Sequence, residues 1–303
     1  MDDDTLPQAS LRANLADLRR ANRWLGGTAL VRHYLLPRIQ ALPPGYRPTL
    51  LDVGTGGADI PSAFLGWLGQ QGQRGWCVGA DVSQPVIGAA RQWVTSGGSV
   101  CLTQADGRAL PWPNESFDFV LCTLTAHHLS EAGVVALLGE MARVARRTVL
   151  VTDLDRSRLA LVGVWLAAHL TLRSPLTRHD GPLSVRRAYT VREARALAGQ
   201  AGLPAARARA HPLFRWALVW DRADQGSRGA GNPPSSGGRR MLDDGAGRGT
   251  DGMTPGRDNA RWDVVVVGGR PAGAVTAAWS LPAAGGCSWW TRPASHGTNR
   301  APS

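Results

Sequence analysis

Leu11, Leu15, Leu18 and Ala21 recur at helical spacing among Arg, Asn and Asp, which predicts a helix over Leu11 to Trp24. Gly26-Gly27 interrupts the pattern, TALVRHYLLPRI predicts a second helix, and ALPPGYRP then breaks the chain. From Thr49 the pattern changes to short, almost wholly apolar runs that alternate with amphipathic ones. TLLDV, GWCVGAD, SVCLTQAD, FDFVLCTLT and TVLVTDL read as five strands. Between them lie the helices DIPSAFLGWLG, SQPVIGAARQWV with Ser83 as its N-cap, and EAGVVALLGEMARVARR. Strands that are apolar throughout and separated by helices indicate a parallel sheet covered on both faces.

An apolar helix, Leu159 to Leu172, follows, then the polar loop RSPLTRHDGPLSVRRAY and the helix TVREARALAGQAG. That helix opens with Thr190 and Glu193 as a capping box. PAARARAHP and FRWALVW supply two last strands. The expected fold is therefore α/β: a doubly wound, mostly parallel seven-stranded sheet of Rossmann-like type. Residues 1–48 are expected as an N-terminal helical lid and 49–225 as the main domain. Residues 226–260, crowded with Gly, Pro, Ser and Asp and almost free of apolar side chains, are expected as a disordered linker. Residues 261–303 are expected as a vestigial dinucleotide-binding-like fragment.

Composition narrows the function classes. The 303 residues carry a formal charge of +11, and every basic residue is arginine. No block of like charge stands out, so a solvated basic surface is favoured over a nucleic-acid partner. Cys77, Cys101, Cys122 and Cys287 show no CxxC pair, which favours buried thiols over zinc or disulfides, and no metal is expected. The acidic, polar start MDDDTLPQAS predicts no signal peptide, and the longest apolar run is too short to span a bilayer. A cytoplasmic protein without stable membrane insertion is expected.

The chemistry lies in LDVGTGGADI, a glycine turn directly after a strand. A dinucleotide site needs G-x-G-x-x-G, with the pyrophosphate on the helix N-terminus. Counted from Gly54, the second glycine is Gly56, and the third position holds Asp59, a carboxylate that would face a diphosphate. The turn therefore argues against NAD and FAD. S-adenosylmethionine shares the adenosine end, lacks phosphate, and carries a sulfonium and an ammonium that acidic residues attract. Asp81 ends the second strand, where ribose hydroxyls would be held, and Asp106 follows the third, where the adenine amino group would be read.

LLDVGTGGADIP, VGADVS, QADGRALPWPNESFDFV and LTAHHL, in this order and each at a strand end, resemble the class I S-adenosylmethionine-dependent methyltransferases. The likeness is to their small-molecule branch, which includes quinone-biosynthesis enzymes, and it covers Thr49 to Asp221. It implies that Asp52, Gly54 and Gly56 line the cofactor loop, that Asp81 holds the ribose, and that Asp106 with Gly107 contacts the adenine. The family's last glycine is Ala58 here, which leaves slightly less room beside the methionyl part. Another reading of each stays open: Asp52 as a turn cap, the glycines as backbone hinges, Asp106 as an ordinary loop residue, and Asp153 at the fifth strand's end as structural.

Methyl transfer from a sulfonium is an in-line displacement, so alignment in a dry site matters most. A hydroxyl acceptor also benefits from a general base. The fourth strand delivers CTLTAHHL to that place, and His128 is the favoured base. His179, which Asp180 would orient, is the other candidate. No Asn/Asp-Pro-Pro-aromatic motif follows the strand, and there is no Pro-Cys pair, so a small-molecule oxygen or carbon acceptor is expected and not a nucleic acid; a hydroxylated one is favoured, with O- versus C-methylation left open. The apolar helix with Trp165, together with the helices around Trp24 and Tyr34, would make a greasy pocket for a phenolic, polyketide or quinone-like molecule. A flavin or nicotinamide oxidoreductase, or a cofactor-binding module without catalysis, are the alternatives. The oligomeric state is left open.

The second glycine turn, in WDVVVVGGRPAGAVTAAWSL, resembles the start of a flavin-dependent oxidoreductase, with strand, turn and helix. No acidic residue follows Asp263 to take a ribose, and Ser288-Trp289-Trp290-Thr291 stands where an apolar strand is needed. Valine codons read one base out of frame give tryptophan. The expectation is a neighbouring reductase gene fused to this one, with its frame lost near Ser288. Sequencing the coding DNA should reveal valine codons in the shifted frame, and their absence would refute the idea.

Overall fold

The computed structural model describes residues 8–94, 99–157, 160 and 183–223, and the backbone of 264–268 and 275–279. Two helices come first, α1 (Gln8–Trp24) and α2 (Gly27–Gln40). An alternating series follows: β1 (Thr49–Val53), α3 (Asp59–Gln70), β2 (Trp76–Asp81), α4 (Gln84–Ala90), β3 (Val100–Gln104), β4 (Phe117–Thr123), α5 (Glu131–Val144) and β5 (Ala145–Leu154). The series closes with α6 (Val191–Gln200), β6 (Arg207–His211) and β7 (Arg215–Asp221).

The seven strands form one sheet in the order β3-β2-β1-β4-β5-β7-β6. The first five are parallel, and β7 runs antiparallel to both β5 and β6. All seven residues of the central β4 are buried, whereas β6 at the edge is largely exposed. Leu137, Leu138 and Met141 of α5 and Leu197 of α6 cover one face, over Val120, Val151 and Trp216. Leu30, Val31, Leu35 and Ile39 of α2 and Phe64 of α3 cover the other, over Leu50, Phe119 and Ala217. The α2 helix is thus part of the core, and of the two N-terminal helices α1 is the one over the strand tips. The order of strands reverses between β1 and β4, which opens a crevice at their carboxyl ends, the usual ligand position in such sheets.

Several local expectations are met and others corrected. Thr190 and Glu193 make the full capping box. Ser83 occupies the N-cap of α4, but its side chain makes no capping bond, and its amide instead donates to Asp81 Oδ1 at 3.0 Å. The strand beside β4 starts early: α5 ends at Val144 and residues 145–147 already belong to β5. Asp118 explains this, because its buried carboxylate accepts from Arg146 at 3.1 Å and Arg147 at 3.2 Å, drawing both into the sheet. The expected apolar helix with Trp165, the linker at 226–260, and Cys287 fall outside the described residues, while Cys77, Cys101 and Cys122 form no disulfide among the described residues.

The second glycine turn is not followed by the expected helix. Val264–Gly268 and Val275–Trp279 are two strands paired antiparallel with each other. A strand-to-helix turn needs a sheet on which its helix can pack. This pair forms a sheet of its own, so the strand's hydrogen bonds are met by the segment just after it. Among the described residues no helix is long and apolar enough to cross a membrane.

Asp118 also accepts from Tyr46 Oη at 2.7 Å and from the Thr49 amide and hydroxyl at 3.0 and 3.1 Å. Asp118→Ala would strand these donors beside two arginines. It should lower the unfolding free energy by about 3 kcal/mol in urea titrations while cofactor affinity stays unchanged.

Candidate functional site

The turn from β1 to α3 places Gly54, Gly56 and Ala58 in the left-handed region, with φ of 71°, 50° and 56°. Gly54 is there for close approach. A Cβ on it would lie 2.2 Å from Thr125 Oγ1, so only glycine lets the tip of β1 meet the segment after β4. The Gly54 and Thr55 amides both donate to the Ala80 carbonyl, at 2.8 and 2.9 Å. The Gly56 amide donates to Asp81 Oδ2 at 3.1 Å. One carboxylate, at the tip of β2, thus holds both the glycine turn and the start of α4. Ala58 bears the left-handed conformation with a methyl group, at a cost of about 1 kcal/mol.

Helix α1 covers this turn. Arg19 donates to the Gly57 carbonyl, and its guanidinium lies 5.1 Å from the Trp93 ring centre. Asn22 donates to Asp59 Oδ2 at 3.2 Å. Asn14, Asp17 and Asn22 are buried on the same helix as the apolar Leu11 and Leu15. Arg215, at the start of β7, adds a buried guanidinium that donates to the Leu25 carbonyl at 3.2 Å.

These contacts set unusual electrostatics. Asp52 is fully buried and accepts from the Thr55 hydroxyl at 2.8 Å, while its Oδ1 has no partner among the described residues. Burial pushes its pKa up to about 8; Asp59 and Asp81 add to the rise, and the Thr55 hydrogen bond opposes it. Burial raises Asp59 and Asp81 as well, against hydrogen bonds from Asn22 and from backbone amides, respectively. Burial lowers the Arg215 pKa, although Asp153 and Asp59 favour its charge. Three carboxyls around one turn, one with an unpartnered oxygen, disfavour a polyphosphate and suit a cation. The unpartnered Asn22 Oδ1 and Arg215 Nη1 add one acceptor and one donor to the same region. This donor set fits S-adenosylmethionine.

The other anticipated residues are placed as follows. The Ala105 amide donates to the Asp81 carbonyl at 3.0 Å, which sets Asp106 beside the β2 tip. Asp106 is engaged by Arg108 at 2.7 Å, which holds its carboxyl below the usual range. Gly107 is needed for packing, since a Cβ there would lie 2.6 Å from Val53 Cγ1. His127 is buried with its Nδ1 2.7 Å from Asp153 Oδ1, and its amide donates to the same carboxylate. His128 is exposed, and its ring centre lies 4.1 Å from that of His127. Trp24 stands exposed, and Tyr34 bonds His211 Nε2 at 2.7 Å at the sheet edge. His179 and Asp180 lie outside the described residues.

Residues 50–148 match a family model described as "Methyltransferase domain". Over these residues the chain is similar to methyltransferase domains. It is 29% identical over 100 residues to an uncharacterised methyltransferase, YcgJ, of Bacillus subtilis, a match spanning 32% of this chain and 36% of that protein. It is 33% identical over 110 residues to the ubiquinone/menaquinone biosynthesis C-methyltransferase UbiE of Nitrosospira multiformis, spanning 36% of this chain and 43% of that protein. The chain thus covers less than half the length of these curated relatives. Human N-acetylserotonin methyltransferase in complex with the cofactor shares the fold, with a TM-score of 0.50 and 13% identity over 71% of this chain and 56% of that one.

Arg19, Asn22 and Arg215 were not foreseen from the sequence as neighbours of the methyltransferase turn. A signal existed for Asn22, since Asn14, Asp17 and Asn22 interrupt the face that Leu11 and Leu15 begin. None existed for Arg215, whose neighbours in the site are distant in sequence.

The Asp52 pKa fixes a sign. The folded protein keeps a proton that the unfolded chain releases near its ordinary value of 3.8, so this group's contribution to stability is complete below about pH 4. It is lost progressively as pH rises towards about 8. A cation beside Asp52 lowers that pKa, so cofactor affinity should rise from about pH 6 to about pH 8 with proton release, and then level off. Calorimetry in buffers of different ionisation enthalpy measures this, and Asp52→Asn should abolish the dependence.

Proposed function

We propose that the protein transfers a methyl group from S-adenosylmethionine to a small, apolar, hydroxylated acceptor of phenolic, polyketide or quinone-like type. The observation that carries this reading is the Asp81 clamp, a half-buried carboxyl at the β2 tip bonded to the Gly56 amide of the left-handed turn. The bound cofactor supplies an already activated methyl group. In this reading Asp81 holds the ribose hydroxyls, and Gly54 and Gly56 let the backbone come close. Asp106 and Gly107 border the adenine, and Asp52 faces the positive end. The apolar acceptor finds support in the names of two relatives, UbiE and a demethylmenaquinone methyltransferase of Roseiflexus castenholzii that is 33% identical over 120 residues.

His128 takes the acceptor proton. It sits on the segment after β4, exposed and against the tilted ring of His127, which Asp153 orients. His179 with Asp180 is the second candidate. The cytoplasm is the compartment that goes with this reading.

Asp81→Ala should abolish cofactor binding by calorimetry and leave the fold intact by circular dichroism. With a panel of phenols, release of S-adenosylhomocysteine should increase with alkyl chain length. His128→Ala should lower turnover by about 10²–10⁴-fold at unchanged cofactor affinity. Equal turnover across chain lengths would refute the apolar acceptor.

A further inference from the structure

Three large apolar residues are exposed among the described residues: Trp24 at 81%, Val82 at 63% and Leu213 at 54%. All three lie at one edge of the domain, the carboxyl ends of the parallel strands. Val82 follows the last residue of β2. Leu213 sits in the β6–β7 hairpin, and β7 begins at Arg215, which pairs with Leu154 at the end of β5. Trp24 ends α1, and the adjacent Leu25 carbonyl takes the Arg215 hydrogen bond. The Leu213 side chain reaches to 3.3 Å from where a Cβ on Gly26 would stand, so the hairpin and the α1–α2 turn form one patch. Four strand spacings separate Val82 from the hairpin, roughly 19 Å.

The hairpin residues are poorly chosen for the turn itself. Leu213 and Phe214 both have positive φ, 59° and 56°, where Asn or Gly is favoured. Two large apolar side chains are thus held in a disfavoured backbone at an exposed rim, which points to a role for the side chains outside the turn.

The exposed charge beside Trp24 and the hairpin is mostly basic, with Asp155, whose amide donates to the Phe214 carbonyl at 2.8 Å, as the acid next to it. Residues 18–48 and 204–220 contain no acidic residue. Arg23 at the end of α1, Arg32 on α2, and Arg209 on β6 are exposed. Exposed tryptophan and leucine bordered by arginine match a lipid–water interface, where the aromatic ring sits at headgroup level and the cations meet anionic lipid.

We infer that this rim docks the protein on an anionic phospholipid surface, with Trp24, Leu213 and Phe214 entering the headgroup layer. The site mouth then faces the bilayer, so an apolar acceptor passes from lipid to the strand tips without crossing water. The inference builds on the apolar-acceptor reading, but docking is measured without turnover, so either can fail alone.

The test is co-sedimentation of the full chain with unilamellar vesicles of phosphatidylcholine, alone or with phosphatidylglycerol. Binding should require phosphatidylglycerol and weaken as salt is raised. Trp24→Ser with Leu213→Ser should weaken it at least tenfold, and Arg23→Gln with Arg209→Gln should remove the advantage of phosphatidylglycerol. Both variants should keep wild-type S-adenosylmethionine affinity. Equal vesicle binding by the Trp24/Leu213 variant would overturn the inference. So would a dimer that this variant dissociates, because the rim would then be a contact between copies. A marked fall in its melting temperature would overturn it too, by showing that the chain itself covers the two side chains.

Discussion

The structure depends on how closely the tip of β1 approaches the segment after β4. Gly54 faces Thr125 with no room for a side chain, and the following amides are caught by the Ala80 carbonyl and the Asp81 carboxylate. That contact joins β1, β2 and β4 where the strand order reverses. Left-handed glycines make it sterically possible, and the Asp81 carboxylate holds it. A larger residue at position 54 would separate the strands whose ends form the crevice.

Around this contact the protein concentrates buried charge that a purely structural turn does not need. Asp52, Asp59 and Asp81 are all pushed towards their neutral forms by burial. Arg19 and Arg215 offset part of their charge, one from a helix laid across the turn and the other from the antiparallel end of the sheet. The unpartnered Asp52 oxygen is left as an acceptor, and a cation beside it would favour the ionised carboxylate, which suits a positively charged sulfonium compound and opposes a diphosphate. The α1 helix is therefore joined to the site by polar contacts as well as covering it.

The two adjacent histidines after β4 show how one turn separates identical residues. His127 points inward to Asp153, and His128 outward. The Asp153 carboxyl is held below its ordinary value, against its burial, by His127 and backbone amides. Its bond fixes the His127 ring against which His128 lies.

The sequence by itself determined the strand and helix series, the parallel sheet and the glycine turn with Asp52 and Asp81 at strand ends. These rest on periodicity and on spacing within a few residues, which the chain carries locally. The early end of α5 was not legible, because Arg146 and Arg147 are drawn into β5 by Asp118, 28 and 29 residues away. Nor was the strand after the second glycine turn, which formed because its partner was its own neighbour and not a larger sheet. Only the tertiary structure decided that Arg19 meets Gly57, that Arg215 meets Leu25 across 190 positions, and that Asp52 keeps its proton to about pH 8. Burial and the pairing of charge depend on what the fold brings together, and no local pattern records it.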